Sequence, residues 1–219
     1  MTILILGGLE VSLRLAGFGY PTDFFLEAEP AGKGLLRENP KFAWRFIPQA
    51  LARSPQPLLI SARKPPGTIR IFVFGESAAM GDPEPAFGFP RVLQQMLEGQ
   101  FPDRKFEVVN VSMTAINSHV IRYIARECAQ LECDYWVIYM GNNEVTGPFG
   151  PGTVLSGKAP GRALLHASLA LKSTRTGQLL QTAAEHVAAR RQSRPWLGME
   201  MFLEKQIPRD DPRLNGVYE

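Results

Sequence analysis

Histidine is scarce in this chain. Only His119, His166 and His186 occur among 219 residues, which narrows any mechanism that needs an imidazole base. Cysteine is scarcer still, with Cys128 and Cys133 alone. Their C-x-x-x-x-C spacing fits no zinc pattern and is weak ground for a disulfide, so both read as buried free thiols. An excess of one charge is also missing. Lys and Arg number 24 against 21 Asp and Glu, for a formal net charge of +3, and the basic residues are scattered. That excludes a general nucleic-acid binder. The densest basic cluster, Arg190, Arg191 and Arg194, reads as a solvated helix end.

Long apolar runs are absent too. Ile3 to Leu6 is apolar and continues past Gly7 and Gly8 to Ala16, but Glu10 and Arg14 interrupt it. The run is too short and too charged for a transmembrane span. It also lacks the basic start and small-residue cleavage site of a signal peptide. Two readings of residues 1–19 stay open. One is an amphipathic helix lying on a surface or a membrane interface. The other is the trailing half of a membrane anchor whose beginning is missing.

What is present supports one good core, since 45% of the residues are hydrophobic. Residues 20–66 read as an extended arm. Eight prolines between Pro21 and Pro66 exclude long helices there. The aromatics Phe42, Trp44 and Phe46 indicate that the arm lies against the domain, and one short strand is expected around Leu58–Ile60.

From residue 67 the chain alternates. Thr68–Phe74 reads as a buried strand, followed by a Gly- and Pro-rich loop and a helix over Pro90–Leu97 with Val92, Leu93, Met96 and Leu97 on one face. Phe106–Val111 is the second strand. Ser118–Leu131 is a helix with Ser118 as N-cap and Ile121, Ile124, Ala125 and Cys128 as its inner stripe. Tyr135–Met140 is the third strand. This β-α-β-α-β rhythm implies parallel strands with right-handed crossovers, in a flavodoxin-like three-layer αβα arrangement. Beyond Gly150 the chain reads as helices over Ala163–Leu171 and Gln178–Gln192, with no further strand. The sheet therefore reads as incomplete and the chain as a fragment.

Each core strand ends in a polar cluster: Gly75-Glu76-Ser77, then Asn110-Val111-Ser112, then Gly141-Asn142-Asn143-Glu144. Three parallel strands that aim polar ends at one edge make a site. Ester chemistry needs an activated nucleophile and donors placed where negative charge develops. Ser77 supplies a hydroxyl on a tight strand-to-helix loop, and the Asn143 amide and the backbone N–H groups of Ser77 and Ser112 supply donors. Each residue has a plainer reading. Ser77 is also a turn or N-cap serine, Asn110 also a loop-backbone partner and Asn142 a turn residue. Glu144 orders its loop, and Phe149 and Trp136 pack. Gly147-Pro148-Phe149-Gly150-Pro151-Gly152 reads as a rigid turn that walls the pocket. His119 opens a helix beside the second cluster, while His166 and His186 lie on apolar-patterned helices.

These clusters resemble the blocks of the SGNH (GDSL-type) hydrolase superfamily, in the bacterial branch that often carries an amino-terminal membrane anchor and carboxy-terminal tetratricopeptide repeats. Ser77 matches the family nucleophile, with Glu76 in place of the usual Asp. Ser112 stands at the oxyanion glycine of the second block, and Asn143 matches the oxyanion asparagine of G-x-N-D, here Gly141-Asn142-Asn143-Glu144. The fourth block, D-x-x-H, has no counterpart, because Asp210 and Asp211 are followed by no histidine. The likeness covers roughly Pro66–Gly150. It implies a serine esterase or acyl transferase acting on a small-molecule or glycan acyl ester, without cofactor or metal, associated with a bacterial membrane. The general base would come from downstream sequence. A non-catalytic remnant that keeps the fold and acts as a binding module is the alternative. A nucleotide- or phosphate-binding module is the third class, and the loop after Thr68–Phe74 has neither G-x-G-x-x-G nor G-x-x-x-x-G-K-[ST] to support it.

Overall fold

Eight consecutive residues, Thr68–Gly75, form β4, and all from Arg70 onward are buried. A continuous apolar run of this kind belongs in the middle of a parallel sheet. The computed structural model of the chain, which describes residues 1–28, 34–155, 161–189, 200 and 206–218, places it there. β5 (Lys105–Asn110) pairs parallel along one side, from Thr68↔Lys105 to Val73↔Asn110. β6 (Tyr135–Tyr139) pairs parallel along the other, from Ile71↔Tyr135 to Gly75↔Tyr139. In chain order the sheet runs second-first-third, the opening of a flavodoxin-like fold. The protein is a mixed α/β structure with this parallel sheet at its centre.

The crossovers are helical. α2 (Ser77–Met80) and α3 (Phe89–Gln100) join β4 to β5, and α4 (Ser118–Cys128) joins β5 to β6. α4 buries Val120, Ile121, Ile124 and Cys128 beside Phe72 and Phe74 of β4. Ile71 and Val73, the alternate residues of β4, are buried on the opposite face. α3 is covered less well than its apolar pattern predicts. Leu93 and Leu97 are half-buried, but Val92 and Met96 are exposed, because α3 meets little beyond β5, α2 and the 3-10 turn Pro85–Phe87 before it. β6 lies at the edge, and Tyr135, Trp136, Ile138 and Tyr139 are all substantially exposed.

The arm differs most from expectation. In place of one short strand it forms three, β1 (Phe25–Glu27), β2 (Leu35–Glu38) and β3 (Leu59–Ser61), in an antiparallel sheet, with a 3-10 turn over Phe42–Arg45. Phe24, Phe42, Phe46 and Ile60 enter the same core as Phe72 and Ile124. Phe24 meets Phe42 edge-on, with centroids 5.2 Å apart. Strands of three or four residues carry too little alternation to read from sequence, and their burial depends on partners far along the chain.

Two ionic groups staple the arm down. Arg70 is fully buried on β4. Its Nε donates to Glu107 of β5 at 2.5 Å, Nη1 to the Leu131 carbonyl at 2.7 Å and Nη2 to the Ser61 carbonyl at 2.9 Å. Glu127 of α4 accepts the backbone N–H groups of Phe24 and Phe25 at 2.8 to 3.0 Å. Burial pushes the Glu127 carboxyl above the usual carboxylate range, and those N–H groups pull the other way.

At the amino terminus α1 (Thr2–Leu15) exposes Leu4, Ile5, Leu6, Val11 and Leu15. It touches the rest through α6 (Arg175–Ala189), which follows α5 (Arg162–Lys172). Glu10 of α1 accepts the N–H groups of Arg175 and Thr176 at 3.0 and 2.9 Å and the Thr176 hydroxyl at 2.9 Å, and Arg14 pairs with the same carboxylate. Glu10, one of the two charges that interrupt the apolar run, is thus the residue that docks it, and Arg14 pairs with it from within α1. α6 begins at Arg175, three residues before the expected Gln178, and is described to Ala189. The Arg190, Arg191 and Arg194 cluster lies outside the described residues. Both cysteines are free; Cys128 is buried as expected, but Cys133 is only half-buried, its thiol donating to the Tyr135 carbonyl at 3.0 Å. Among the described residues no helix is long and apolar enough to cross a membrane.

Candidate active site

Parallel pairing carries the three polar clusters to one edge of the sheet. β4 delivers Glu76 and Ser77, β5 delivers Asn110 to Ser112, and β6 delivers Gly141 to Glu144. In this strand order the first and third strands are the topological switch point, where open α/β sheets place their ligands. The loops of Ser77 and Asn143 flank it. Gly75 is required there for space. A Cβ at position 75 would run into the Tyr139 carbonyl and the Ala79 methyl.

Ser77 opens the one-turn helix α2, with Glu76 as an extended N-cap. It is half-buried, and among the described residues its hydroxyl has no hydrogen-bond partner. Glu76 turns inward and is only 1% exposed. Its carboxylate accepts the Asn143 N–H at 3.1 and 3.2 Å and the Gly141 N–H at 3.4 Å. Burial pushes its pKa up, the N–H groups of Asn143 and Gly141 oppose that, and the nearby Glu144 charge adds to the rise. Sequence reading passes over this role, since a lone acid after a strand carries no periodic signal.

Asn143 donates its side-chain amide to the Ile116 carbonyl at 3.0 Å, so one of its two amide hydrogens is engaged. Glu144 accepts the Ser118 N–H at 2.9 Å and the Ser118 hydroxyl at 2.6 Å. An acid from the third cluster therefore sits at the amino end of α4, where helix dipole and free N–H groups favour it. The N-cap of α4 is Asn117 and not Ser118, and the Asn117 amide donates to the Pro148 carbonyl at 2.9 Å. Asn117 makes no side-chain cap bond; the free N–H at this end is met by Glu144, a residue from another strand's loop, which no local spacing signals.

The second cluster is arranged differently from expectation. Ser112 is 1% exposed. Its N–H donates to the Asn110 side-chain oxygen at 3.1 Å and its hydroxyl to the Val73 carbonyl at 3.2 Å. The Ser112 donor is thus already satisfied within its own loop. The Asn110 amide reaches the carbonyls of Ala79 and Met80, which close α2. Thr114 donates its hydroxyl to Asp82 at 2.9 Å. Beside these residues lies a cavity of about 330 Å³ lined by Met80, Thr114 and, from the arm, Ala52, Arg53 and Ser54.

The histidines go elsewhere. His119 meets Phe149 edge-on with centroids 6.1 Å apart. His166 lies 3.3 Å from Arg122, and His186 is 2.8 Å from the Thr182 carbonyl on α6. Asp211 is held by Arg213 at 2.6 Å, which keeps its carboxyl near pKa 2, and Arg213 also reaches the Pro151 carbonyl beside the third cluster. Among the described residues no group of three or more His, Cys, Asp or Glu could hold a metal ion.

Comparison with protein-family models, with curated proteins and with solved structures finds no match for this chain.

Proposed function

We propose that this edge is a serine ester hydrolase or acyl-transferase site of SGNH type. The observation that carries the reading is the Glu76 clamp, which binds the loop of Ser77 directly to the loop of Asn143 at the switch point. Ser77 Oγ attacks the acyl carbonyl carbon of a small-molecule or glycan ester and gives up its proton to a base. The carbonyl π pair moves to oxygen, where the second Asn143 amide hydrogen and the Ser77 N–H stabilise it. Collapse expels the alcohol, which takes the proton. Water or an acceptor hydroxyl then releases the acyl group.

A binding module of the same fold is the second reading. It is favoured by the Ser112 N–H, which is committed to Asn110, and by His166 and His186, which bond to Arg122 and to the Thr182 carbonyl. A fluorophosphonate probe separates the two. Attachment at Ser77, found by peptide mass spectrometry and lost in Ser77→Ala, supports the nucleophile. A chain that stays unlabelled at Ser77 under conditions that label a control serine esterase overturns it. Turnover is a weaker readout here. Loss of a triad base costs on the order of 10⁶ in kcat, leaving roughly 10³–10⁴ over water.

We also propose that α1 inserts into a lipid surface. It is apolar around most of its circumference, and its only charges, Glu10 and Arg14, lie at the docked end. The 219-residue chain should float with zwitterionic vesicles, and Leu4→Glu with Ile5→Glu should leave it in the soluble fraction. Equal flotation of both proteins would remove the lipid assignment.

A further inference from the structure

A second cavity, of about 420 Å³, opens along the flank of α4 where α5 crosses it. That volume lies within the range of small-molecule sites, roughly 300–1,000 Å³. Leu165 and Leu169 of α5, both buried, and the Tyr123 ring form its apolar wall. Ser118, His119, Arg122 and His166 complete the lining. Arg122 Nη1 lies 3.3 Å from His166 Nε2.

Arginines stand near this cavity, with Asp23 and Glu127 facing Arg45. Arg45 lies over the Tyr123 ring at 4.4 Å, and its Nε donates to the Leu169 carbonyl at 3.0 Å. Arg126 approaches the same ring at 5.9 Å. Arg122 stands at the mouth. The carboxylate that reaches the lining, Glu144, is engaged by the Ser118 N–H and hydroxyl. An apolar wall beside the Arg122 guanidinium is unsuited to a cation or to a fully polar sugar. It suits an apolar body that carries one anionic end.

We propose that this cavity binds a small organic anion with an apolar tail, of the class of medium-chain carboxylates. The tail lies on Tyr123, Leu165 and Leu169. Arg122 turns from His166 to the carboxylate, which offers it two oxygens in the fork geometry that guanidinium prefers. His119 and His166 flank the head group. The site is separate from the Ser77 edge and does not depend on ester chemistry there.

The test uses the 219-residue chain with octanoate as probe and octylammonium as a control of the same tail and opposite charge. Imidazole proton and carbon resonances are followed by NMR during each titration. Octanoate should shift the His119 and His166 signals to saturation while leaving His186 unmoved, and octylammonium should bind about tenfold more weakly. Arg122→Ala should weaken octanoate about tenfold, and Arg122→Lys should recover part of that loss. Arg122 is exposed, so the fold survives its replacement. Equal affinity for the two probes, octanoate shifts that miss His119 and His166, or unchanged affinity in Arg122→Ala would each overturn the proposal. The comparison of the two probes on the unaltered chain decides even without the variants.

Discussion

The buried carboxylate of Glu76 accepts the backbone N–H of Asn143 at 3.1 Å. The two residues stand at the ends of neighbouring parallel strands, 67 positions apart, and the bond closes the crevice between those strands on one side. An acid at this position therefore acts on the loop of another strand and not on its own.

Replacing Glu76 should loosen the third cluster. Glu76→Ala leaves the N–H groups of Gly141 and Asn143 without their acceptor, at a cost of about 1–3 kcal/mol in urea unfolding. Glu76→Gln retains one acceptor oxygen and should lose less. On the proposed reading, fluorophosphonate labelling of Ser77 should slow in the same order, Ala more than Gln. Labelling unaffected by either change would detach Glu76 from the nucleophile.

Arg70 should be the least replaceable ionic residue. Its guanidinium, fully buried, holds Glu107, the Leu131 carbonyl and the Ser61 carbonyl together. Arg70→Met removes the charge and strands those acceptors, so a loss of about 3–5 kcal/mol is expected. A chemical denaturation midpoint within error of the parent would refute this account of the arm's attachment.

Gly75 fails for a different reason. Its backbone needs no left-handed conformation, but the Tyr139 carbonyl and Ala79 leave no room for a methyl group. Gly75→Ala should cost about 1–3 kcal/mol through displacement of β6 or α2. The check is a thermal melt beside Gly99→Ala, a helical position where a Cβ meets nothing.

Acid should release α1 before it unfolds the core. Backbone N–H groups of Arg175 and Thr176 hold Glu10 down to a pKa of about 2. A depressed carboxyl gives stability that is fully present above its ordinary value, near pH 4.3, and is lost as pH falls toward 2. Glu76 and Glu127 have the opposite sign. Their carboxyls are raised by burial, so protonation favours the folded state and stability falls as pH rises through their folded values. Between about pH 4 and 2 the amide exchange of α1 should accelerate while that of β4 stays slow. Glu10→Gln should exchange fast at every pH in that window. Simultaneous loss of α1 and β4 protection would contradict the assignment.

The readable parts of this fold are those whose signal is local. Ile71 to Phe74 is apolar without a break, and α4 repeats Ile121, Ile124 and Cys128 on one face, so strands and crossovers stand out in the sequence. The polar clusters after each strand follow from that. The arm was legible only as something held against the domain. Phe24 and Phe42 find their neighbours in α4 and β4, and three-residue strands have no periodicity of their own. The hydrogen bond from Ser112 to Asn110 was hidden for a related reason. Asn two residues before a donor forms this turn readily, but the same asparagine reads equally as a general loop residue. The inward turn of Glu76 depends on β6 lying next to β4, which no spacing along the chain encodes.

The bonds between the arm and the two last long helices govern the order in which this chain can fold. The Gln178 side-chain amide accepts the Tyr20 N–H and donates to the Tyr20 carbonyl across 158 residues, and Arg45 reaches the Leu169 carbonyl across 124. On a ribosome the arm emerges before α5 and α6 and must wait for those partners, roughly 10–30 s at ordinary elongation rates. During that interval Phe24, Phe42 and Phe46 have no core to enter. A segment made early is therefore among the last to settle, as is expected where contacts join residues far apart in the chain.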